Sequence, residues 1–117
     1  MLDKEIIYVM WKNEKVAEIT LSKDHKKCYI DRLVKTFPKQ PFMDFNNNNI
    51  SYVYDFLKSR CYDDNRVNIK EILDAHGMTW NNPWQWCKKT HGVNYDDFWW
   101  IKYPEDNDLK WEDVKVR

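Results

Sequence analysis

Hydrophobic residues occupy both parities of the segment Asp96–Tyr103, which reads DDFWWIKY. A strand with one face in water alternates apolar and polar residues, whereas a strand covered on both faces does not. Pro104 ends the run, because proline cannot donate a hydrogen bond to a sheet. We therefore predict that Phe98–Tyr103 is a central strand, interior to its sheet, and that helices pack against it.

Two β-rich runs near the N-terminus, Glu5–Trp11 and Lys15–Leu21, predict a β-hairpin. The residues between them, Lys12–Lys15, form a short polar turn in which Asn13 is suited to a positive φ. The run Lys26–Leu33 predicts a third strand, so that the first part of the chain is a three-stranded meander.

Two prolines then interrupt the chain. We expect Phe42, Met43 and Phe45 to form an apolar plug over one end of the core. The polar run Asn46–Asn49 predicts a loop that ends in a helix cap.

From Ile50 the hydrophobic period changes to that of a helix. Apolar residues recur at i, i+3, i+4 and i+7, which predicts an amphipathic helix that ends at about Arg60. The residues on this stripe are Ile50, Val53, Tyr54 and Leu57.

Two further short helices are indicated by their caps. Asn68 and Glu71 resemble a capping box at the start of the second helix, and Gly77 provides its left-handed C-terminal residue. Asn82 caps the third helix, and Pro83 stands at its first position, where a missing N–H costs nothing. This helix ends just before a second glycine.

The last segment, Trp111–Arg117, alternates weakly and predicts an edge strand or an extended tail. The fold class is therefore α+β: a small antiparallel sheet, made of the N-terminal hairpin or meander and the central C-terminal strand, with about three short helices packed on it. We expect one domain, with strands in 1–34, helices in 49–92, and a strand and tail in 96–117.

Charge is balanced overall, with 19 Lys and Arg residues against 19 Asp and Glu residues. This balance lacks the basic excess that nucleic-acid binders usually show. The segment Lys23–Lys39 is locally basic, with six Lys or Arg against two Asp. A basic run without an aromatic platform is usually a plain charged surface, so nucleic-acid binding is only an alternative.

The chain has an odd number of cysteines, namely Cys28, Cys61 and Cys87. No signal peptide or apolar run of membrane length is present. We therefore expect a cytoplasmic protein with reduced thiols and no membrane partner.

Four Cys and His residues are candidates for zinc ligands or for a catalytic pair. Cys61, His76, Cys87 and His91 have the irregular spacing C-x14-H-x10-C-x3-H, which disfavours zinc. Cys87 and His91 stand four residues apart on one helix face, but no third orienting residue accompanies them. We interpret Cys87 as a buried hydrophobic residue. We interpret His91 as a residue at the helix C-terminus, where a histidine interacts favourably with the helix dipole.

Acidic residues near the C-terminus lack the glycine-turned loop of a calcium site. They are Asp96, Asp97, Glu105, Asp106 and Asp108. Only two glycines occur in the chain, and neither belongs to a phosphate-cradling loop. The sequence therefore predicts no metal, no cofactor and no catalytic residues, which indicates a protein that is not an enzyme.

Tryptophan provides the candidate binding residues. In the segment TWNNPWQW, Trp84 and Trp86 lie about 200° apart around a helix axis, so one buried stripe cannot centre on both. We predict that Trp86 is in the core, and that Trp84 is substantially exposed with Trp80 beside it. The alternative is that the loop folds back and covers Trp84. Exposed tryptophans with polar neighbours are typical of binding hot spots. Trp80, Trp84 and Trp111 are therefore the predicted partner-binding residues.

The chain resembles the small N-terminal module of HipA-type toxin–antitoxin kinases over roughly Ile6–Ile101. The opening strand–turn–strand, Tyr8–Leu21, matches the family pattern, as do Tyr29-Ile30-Asp31 and the helical segments Arg66–Gly77 and Thr79–Gly92. The chain departs from the pattern at the turn, at 60–66 and in its C-terminal tail. A second resemblance, over Phe56–Val116, is to small phage and mobile-element proteins of Firmicutes.

These resemblances imply a regulator. In the HipA-type family this module is a regulatory cap on a kinase, or a separate antitoxin, and the catalytic residues lie in a larger domain. The implied function is a non-enzymatic, antitoxin-like protein that binds a partner kinase or effector. The alternatives are a phage-encoded inhibitor of a host defence nuclease, similar to anti-CRISPR proteins, and a nucleic-acid-binding regulator. The oligomeric state stays open.

Overall fold

The computed structural model describes residues 4–36, 38–61, 65–94, 97–106 and 108–115. Within them, four strands form one antiparallel sheet in the order β3-β2-β1-β4. The strands are β1 (Lys4–Trp11), β2 (Glu14–Ser22), β3 (Cys28–Arg32) and β4 (Trp99–Lys102). Four helices accompany the sheet: α1 (Ile50–Lys58), α2 (Ile69–Ala75), α3 (Pro83–Thr90) and α4 (Trp111–Val114). The predicted α+β class and the N-terminal meander are confirmed.

The hairpin turn differs from its prediction in one detail. The residue with positive φ is Lys12, at 54°, and not Asn13. Asn13 instead bonds to α4, because its Oδ1 accepts the N–H of Trp111 at 2.9 Å and its Nδ2 donates to the Glu112 carboxylate at 3.0 Å. The turn is thereby tied to the first residue of α4.

The prediction of a central C-terminal strand was wrong, because β4 is an edge strand of the sheet. Among the described residues, its pairing partner is β1 alone, from Trp11↔Trp99 to Tyr8↔Lys102. The hydrophobic pattern was nonetheless correct in indicating cover on both faces, since Trp100 and Ile101 are both fully buried. Apolarity on both parities reports what lies above and below a strand, and not whether a neighbour lies beside it.

Hydrophobic residues pack on both faces of the sheet. On the first face, α1, α2 and α3 pack against the inward residues of β1, β2 and β3 and against Ile101 of β4. The helix residues in this core are Val53, Leu57, Leu73, Trp86 and Cys87. On the second face, Trp111 of α4 packs with Met10 and Trp100. The remainder of that second face carries half-buried or exposed residues, among them Tyr8, Glu18 and Tyr29.

The helix caps follow the sequence in two of three cases. Asn49 accepts the N–H of Ser51, and Asn82 accepts the N–H of Trp84 with Pro83 next to it, as predicted. Asn68 makes no side-chain cap bond, so the predicted capping box at α2 is absent. Gly77 has φ +70°, which confirms its role at the end of α2.

The described part of the C-terminal segment, 111–115, is not the predicted edge strand or extended tail, and the last two residues of that prediction, Val116 and Arg117, lie outside the described residues. Its residues Trp111–Val114 form the short helix α4, in which the Asp113 carboxylate accepts the N–H of Lys110 at 3.0 Å. The position of Trp111 explains the difference: its side chain is 7% exposed because it packs on Met10 and Trp100. This burial outweighs the weak alternation of the sequence.

Of the three residues predicted to plug the core, only Phe42 is buried. Its side chain is 0% exposed, whereas Met43 and Phe45 are 41% and 46% exposed. Buried Gln40 fixes this segment, because its Nε2 donates to the carbonyls of Val16 and Val34. The loop therefore places the Phe42 ring in the core, while the side chains of Met43 and Phe45 are exposed to solvent.

In the part of the chain that the structure describes, no helix is long and apolar enough to cross a membrane.

Candidate binding surface

The three predicted partner-binding tryptophans do not form one surface. Trp80 is 55% exposed, as predicted. Trp84 is half-buried rather than substantially exposed, because its ring lies against the rings of His25, at a centroid distance of 4.3 Å, and Tyr54, at 6.4 Å. Trp111 is buried on the opposite face of the sheet. The prediction for Trp86 is confirmed, since it is 7% exposed and its Nε1 donates to the Arg60 carbonyl.

The cysteine and histidine candidates have structural roles. Cys87 is fully buried, and burial raises the pKa of its thiol far above the ordinary value, which opposes thiolate formation. His91 donates from Nδ1 to the Ile101 carbonyl at 2.8 Å, and His76 from Nδ1 to the Ile72 carbonyl at 2.8 Å. Among the described residues, no three His, Cys, Asp or Glu side chains converge as metal ligands.

Three of the five acidic residues considered for calcium have other partners. Asp97 binds Arg60, and Glu105 forms an ion pair with Lys88. Asp106 accepts the N–H of Tyr103 at 3.1 Å. Asp96 lies outside the described residues.

The outer edge of β4 is closed by side chains and by one backbone carbonyl. Ile101 donates its N–H to the His91 carbonyl at 2.7 Å and accepts from the His91 ring. Trp99 donates its N–H to Asp97 and accepts from Arg60. Because these backbone groups are already paired, this edge cannot accept an added strand from a partner.

The other edge of the sheet, β3, is partly closed in the same way. The N–H of Ile30 donates to Asn48 Oδ1 at 3.2 Å, and the Ile30 carbonyl accepts from Arg32 Nη1 at 3.5 Å. Recognition by strand addition is thus disfavoured at both edges. A partner that binds beside β3 must contact side chains.

Most of the large exposed hydrophobic side chains lie in or just after β3. In the described part of the chain, six large hydrophobic side chains are substantially exposed, and four of them belong to β3 and the loop after it. We call these four residues, together with Lys35, the β3 surface. Its members are Tyr29, Leu33, Met43, Phe45 and Lys35.

Arg32 holds the loop of this surface in place. Its Nε donates to the Phe42 carbonyl at 2.7 Å, and its Nη2 donates to the carbonyls of Asp44, at 2.7 Å, and Asn47, at 2.8 Å. Its Nη1 reaches Asn48 Oδ1 at 3.3 Å. One buried guanidinium therefore joins β3 to most of the 42–48 loop and fixes where Phe45 lies, with the guanidinium carbon 5.6 Å from the centre of the Phe45 ring.

Three residues of the β3 surface, Tyr29, Lys35 and Phe45, line a cavity of about 220 Å³. Two exposed rings line it, Tyr29 at 60% and Phe45 at 46% exposure. The other lining residues are Ile30, Asp31, Arg32 and Lys35. Aromatic side chains beside cationic ones, on a loop held by hydrogen bonds, can contact an apolar group and an anionic group of a partner at the same time.

A larger groove of about 440 Å³ lies between α2 and α3. Its walls include Ile72, Ala75 and Val93, and two of its polar groups are engaged within the helices. These are His76 Nδ1 and Thr90 Oγ1, which donate to the carbonyls of Ile72 and Trp86. The groove therefore has fewer groups free to orient a ligand than the β3 surface has.

Sequence reasoning missed the β3 surface, although one signal for it was present. Cys28, Ile30 and Arg32 share one parity of β3, and Tyr29 and Asp31 share the other, so the alternation placed Tyr29 on the outward side. No comparable sequence pattern indicated that Phe45 is exposed, because its exposure depends on the hydrogen bonds of Arg32.

Comparisons with known proteins add no relative. No protein-family model, no curated protein and no solved structure matches this chain. The resemblance to the HipA-type module therefore stays a prediction.

Proposed function

We propose that this protein is a non-enzymatic, protein-binding regulator that contacts its partner through the β3 surface. The observation that supports this proposal best is the group of four exposed hydrophobic side chains beside β3, two of them aromatic. Aromatic residues and methionine are enriched in protein interfaces, and exposed rings in a pocket are frequent hot spots.

Preorganisation also supports binding at this surface. The carbonyls that Arg32 binds precede and follow Phe45, so the loop need not be ordered when a partner binds. Ordering a loop on binding costs free energy, and a loop already held in place avoids part of that cost.

The partner that we propose is a kinase or a similar effector, on which the protein acts as an antitoxin does. This part of the proposal rests on the resemblance to the HipA-type module. One of the segments that carry the resemblance, Tyr29-Ile30-Asp31, lies in β3 and contributes an exposed ring to the surface.

The experiment is a pull-down from the source cells with tagged protein and matched surface variants. Tyr29→Ser and Phe45→Ser remove the two rings, whereas Val67→Ser and Trp80→Ser remove exposed hydrophobic side chains elsewhere. We expect the first pair to lose the partner and Val67→Ser to retain it, with unchanged circular dichroism for all four. If Trp80→Ser alone loses the partner, the binding surface is the one predicted from sequence. If all four retain it, the β3 surface is not the interface.

A second candidate function is nucleic-acid binding, and one observation favours it. The basic segment Lys23–Lys39 was expected to lack an aromatic platform, but Tyr29 and Phe45 are exposed beside Lys35. Exposed rings next to cations can stack on single-stranded bases. Affinity for an oligonucleotide that falls steeply with salt concentration would support this function, and no measurable affinity at low salt would exclude it.

A further inference from the structure

We infer that the β3 surface recognises an acidic protein segment, with a partner carboxylate beside Lys35 and an adjacent apolar side chain against Tyr29 and Phe45. This inference rests on the proposed function, because it specifies the chemistry of the partner at the same surface. It is carried by the charges around the cavity.

The first charge is that of Arg32, which is 8% exposed. Its guanidinium donates to backbone carbonyls and to the amide oxygen of Asn48, all of them neutral acceptors. Within the described residues, no carboxylate forms an ion pair with it. Carbonyl dipoles satisfy its hydrogen bonds but leave its net charge in place, so Arg32 contributes a positive charge to the wall of the cavity.

The second charge is that of Lys35, an exposed residue on the cavity wall. Two other lysines near the sheet have carboxylate partners: Lys39 pairs with Glu14 at 2.8 Å, and Lys15 lies 4.0 Å from Glu18. Lys35 has no ion pair with any residue that the structure describes. Its ammonium can therefore bind a carboxylate of the partner without breaking an existing pair.

The acids near the cavity favour a protein segment over a nucleic acid. Asp31 also lines the cavity, and its cross-strand partner on β2 is Glu18. A polyphosphate backbone that follows the sheet would pass these two carboxylates, and like charges in contact are repelled. A short acidic segment can place one carboxylate near Lys35 and leave Asp31 in solvent.

The test uses the full protein and a random glutamate–tyrosine copolymer as the probe. Polyglutamate, a lysine–tyrosine copolymer and oligothymidylate are the comparison probes. Lys35→Glu reverses the charge at the cavity, and Lys70→Glu, at an exposed position of α2, makes the same charge change elsewhere. We expect the wild-type protein to prefer the glutamate–tyrosine copolymer, Lys35→Glu to weaken that binding about tenfold, and Lys70→Glu to leave it unchanged.

The outcomes separate the inference from the function it rests on. Equal binding of both tyrosine copolymers, lost in Phe45→Ser but not in Lys35→Glu, overturns the acidic partner and leaves the β3 surface as a protein-binding surface. Tighter binding of oligothymidylate overturns the inference in favour of a nucleic acid. No binding of any probe also overturns it, and the pull-down with Tyr29→Ser and Phe45→Ser then decides the proposed function independently.

Discussion

Arg60 and Asp97 form a bidentate ion pair, with Nη1 2.7 Å from Oδ2 and Nη2 2.6 Å from Oδ1. The Arg60 side chain is 3% exposed and that of Asp97 is 23% exposed. Arg60, two residues after α1, also donates to the carbonyls of Gly92, two residues after α3, and of Trp99, the first residue of β4. Like Arg32, Arg60 is a buried arginine that joins separate segments of the chain through hydrogen bonds to backbone carbonyls.

Replacing Asp97 should be strongly destabilising. In Asp97→Ala the buried guanidinium loses its counter-ion, and breaking a buried pair from one side costs about 3–5 kcal/mol of the free energy of unfolding. Urea denaturation measures this change. The matched control is Glu105→Gln, which removes the acid of the exposed pair with Lys88 and should cost under about 1 kcal/mol. A similar loss of unfolding free energy in the two variants would show that burial does not make the Arg60–Asp97 pair contribute more than the exposed Lys88–Glu105 pair.

His91 offers a test of backbone strain at the β4 edge. Its φ is 60°, in the left-handed region that favours glycine. Both His91→Ala and His91→Gly remove the ring that donates to the Ile101 carbonyl, but only glycine relieves the backbone conformation. We expect the glycine variant to be more stable than the alanine variant by about 1 kcal/mol, measured by urea denaturation. An alanine variant of equal or greater stability would show that the left-handed conformation is not costly here.

Asn13 should stabilise α4 from the distant hairpin turn. Asn13→Ala removes the acceptor of the Trp111 N–H and should cost about 1 kcal/mol, the usual value of a lost helix cap. Tryptophan emission should shift to the red as Trp111 becomes more exposed. Asn13→Asp is the informative partner variant, because it keeps the acceptor but places a carboxylate next to Glu112. We expect its stability to lie below wild type at low salt and to approach wild type as salt screens the repulsion. No change in either variant would show that α4 does not depend on this contact.

Stability should fall in alkaline solution because of two buried acids. Burial raises the pKa of the Cys87 thiol and of the Tyr103 hydroxyl above their ordinary values of 9.0 and 10.0. The unfolded chain therefore releases these protons before the folded protein does. The contribution of Cys87 to the free energy of unfolding should be constant below pH about 9, and that of Tyr103 below pH about 10. Above its own limit, each contribution should fall by about 1.4 kcal/mol per pH unit.

The variant Tyr103→Phe isolates one of these groups. It keeps the buried ring but has no hydroxyl to ionise, so its free energy of unfolding should fall less steeply than that of wild type above pH about 10. The measurement is chemical denaturation at a series of pH values under reducing conditions. Parallel curves for the two proteins would contradict a role of Tyr103 in the alkaline loss of stability.

The sequence by itself determined the local elements. The hairpin, the third strand and α1 follow from apolar periodicity, whereas α2 and α3 were indicated by their caps. Asn49, Asn82 and Gly77 marked helix boundaries because capping depends on residues close in the chain. Burial of Trp86 also followed from its position on a helix.

Only the tertiary structure decided what depends on contacts between distant segments. It placed β4 at the sheet edge and closed that edge with His91, it folded the predicted tail into α4 by burying Trp111, and it covered Trp84 with His25. The β3 surface is of the same kind. Phe45 faces outward because Arg32 binds the carbonyls on both sides of it, and local periodicity carries no information about which arginine will be buried or which carbonyls it will bind.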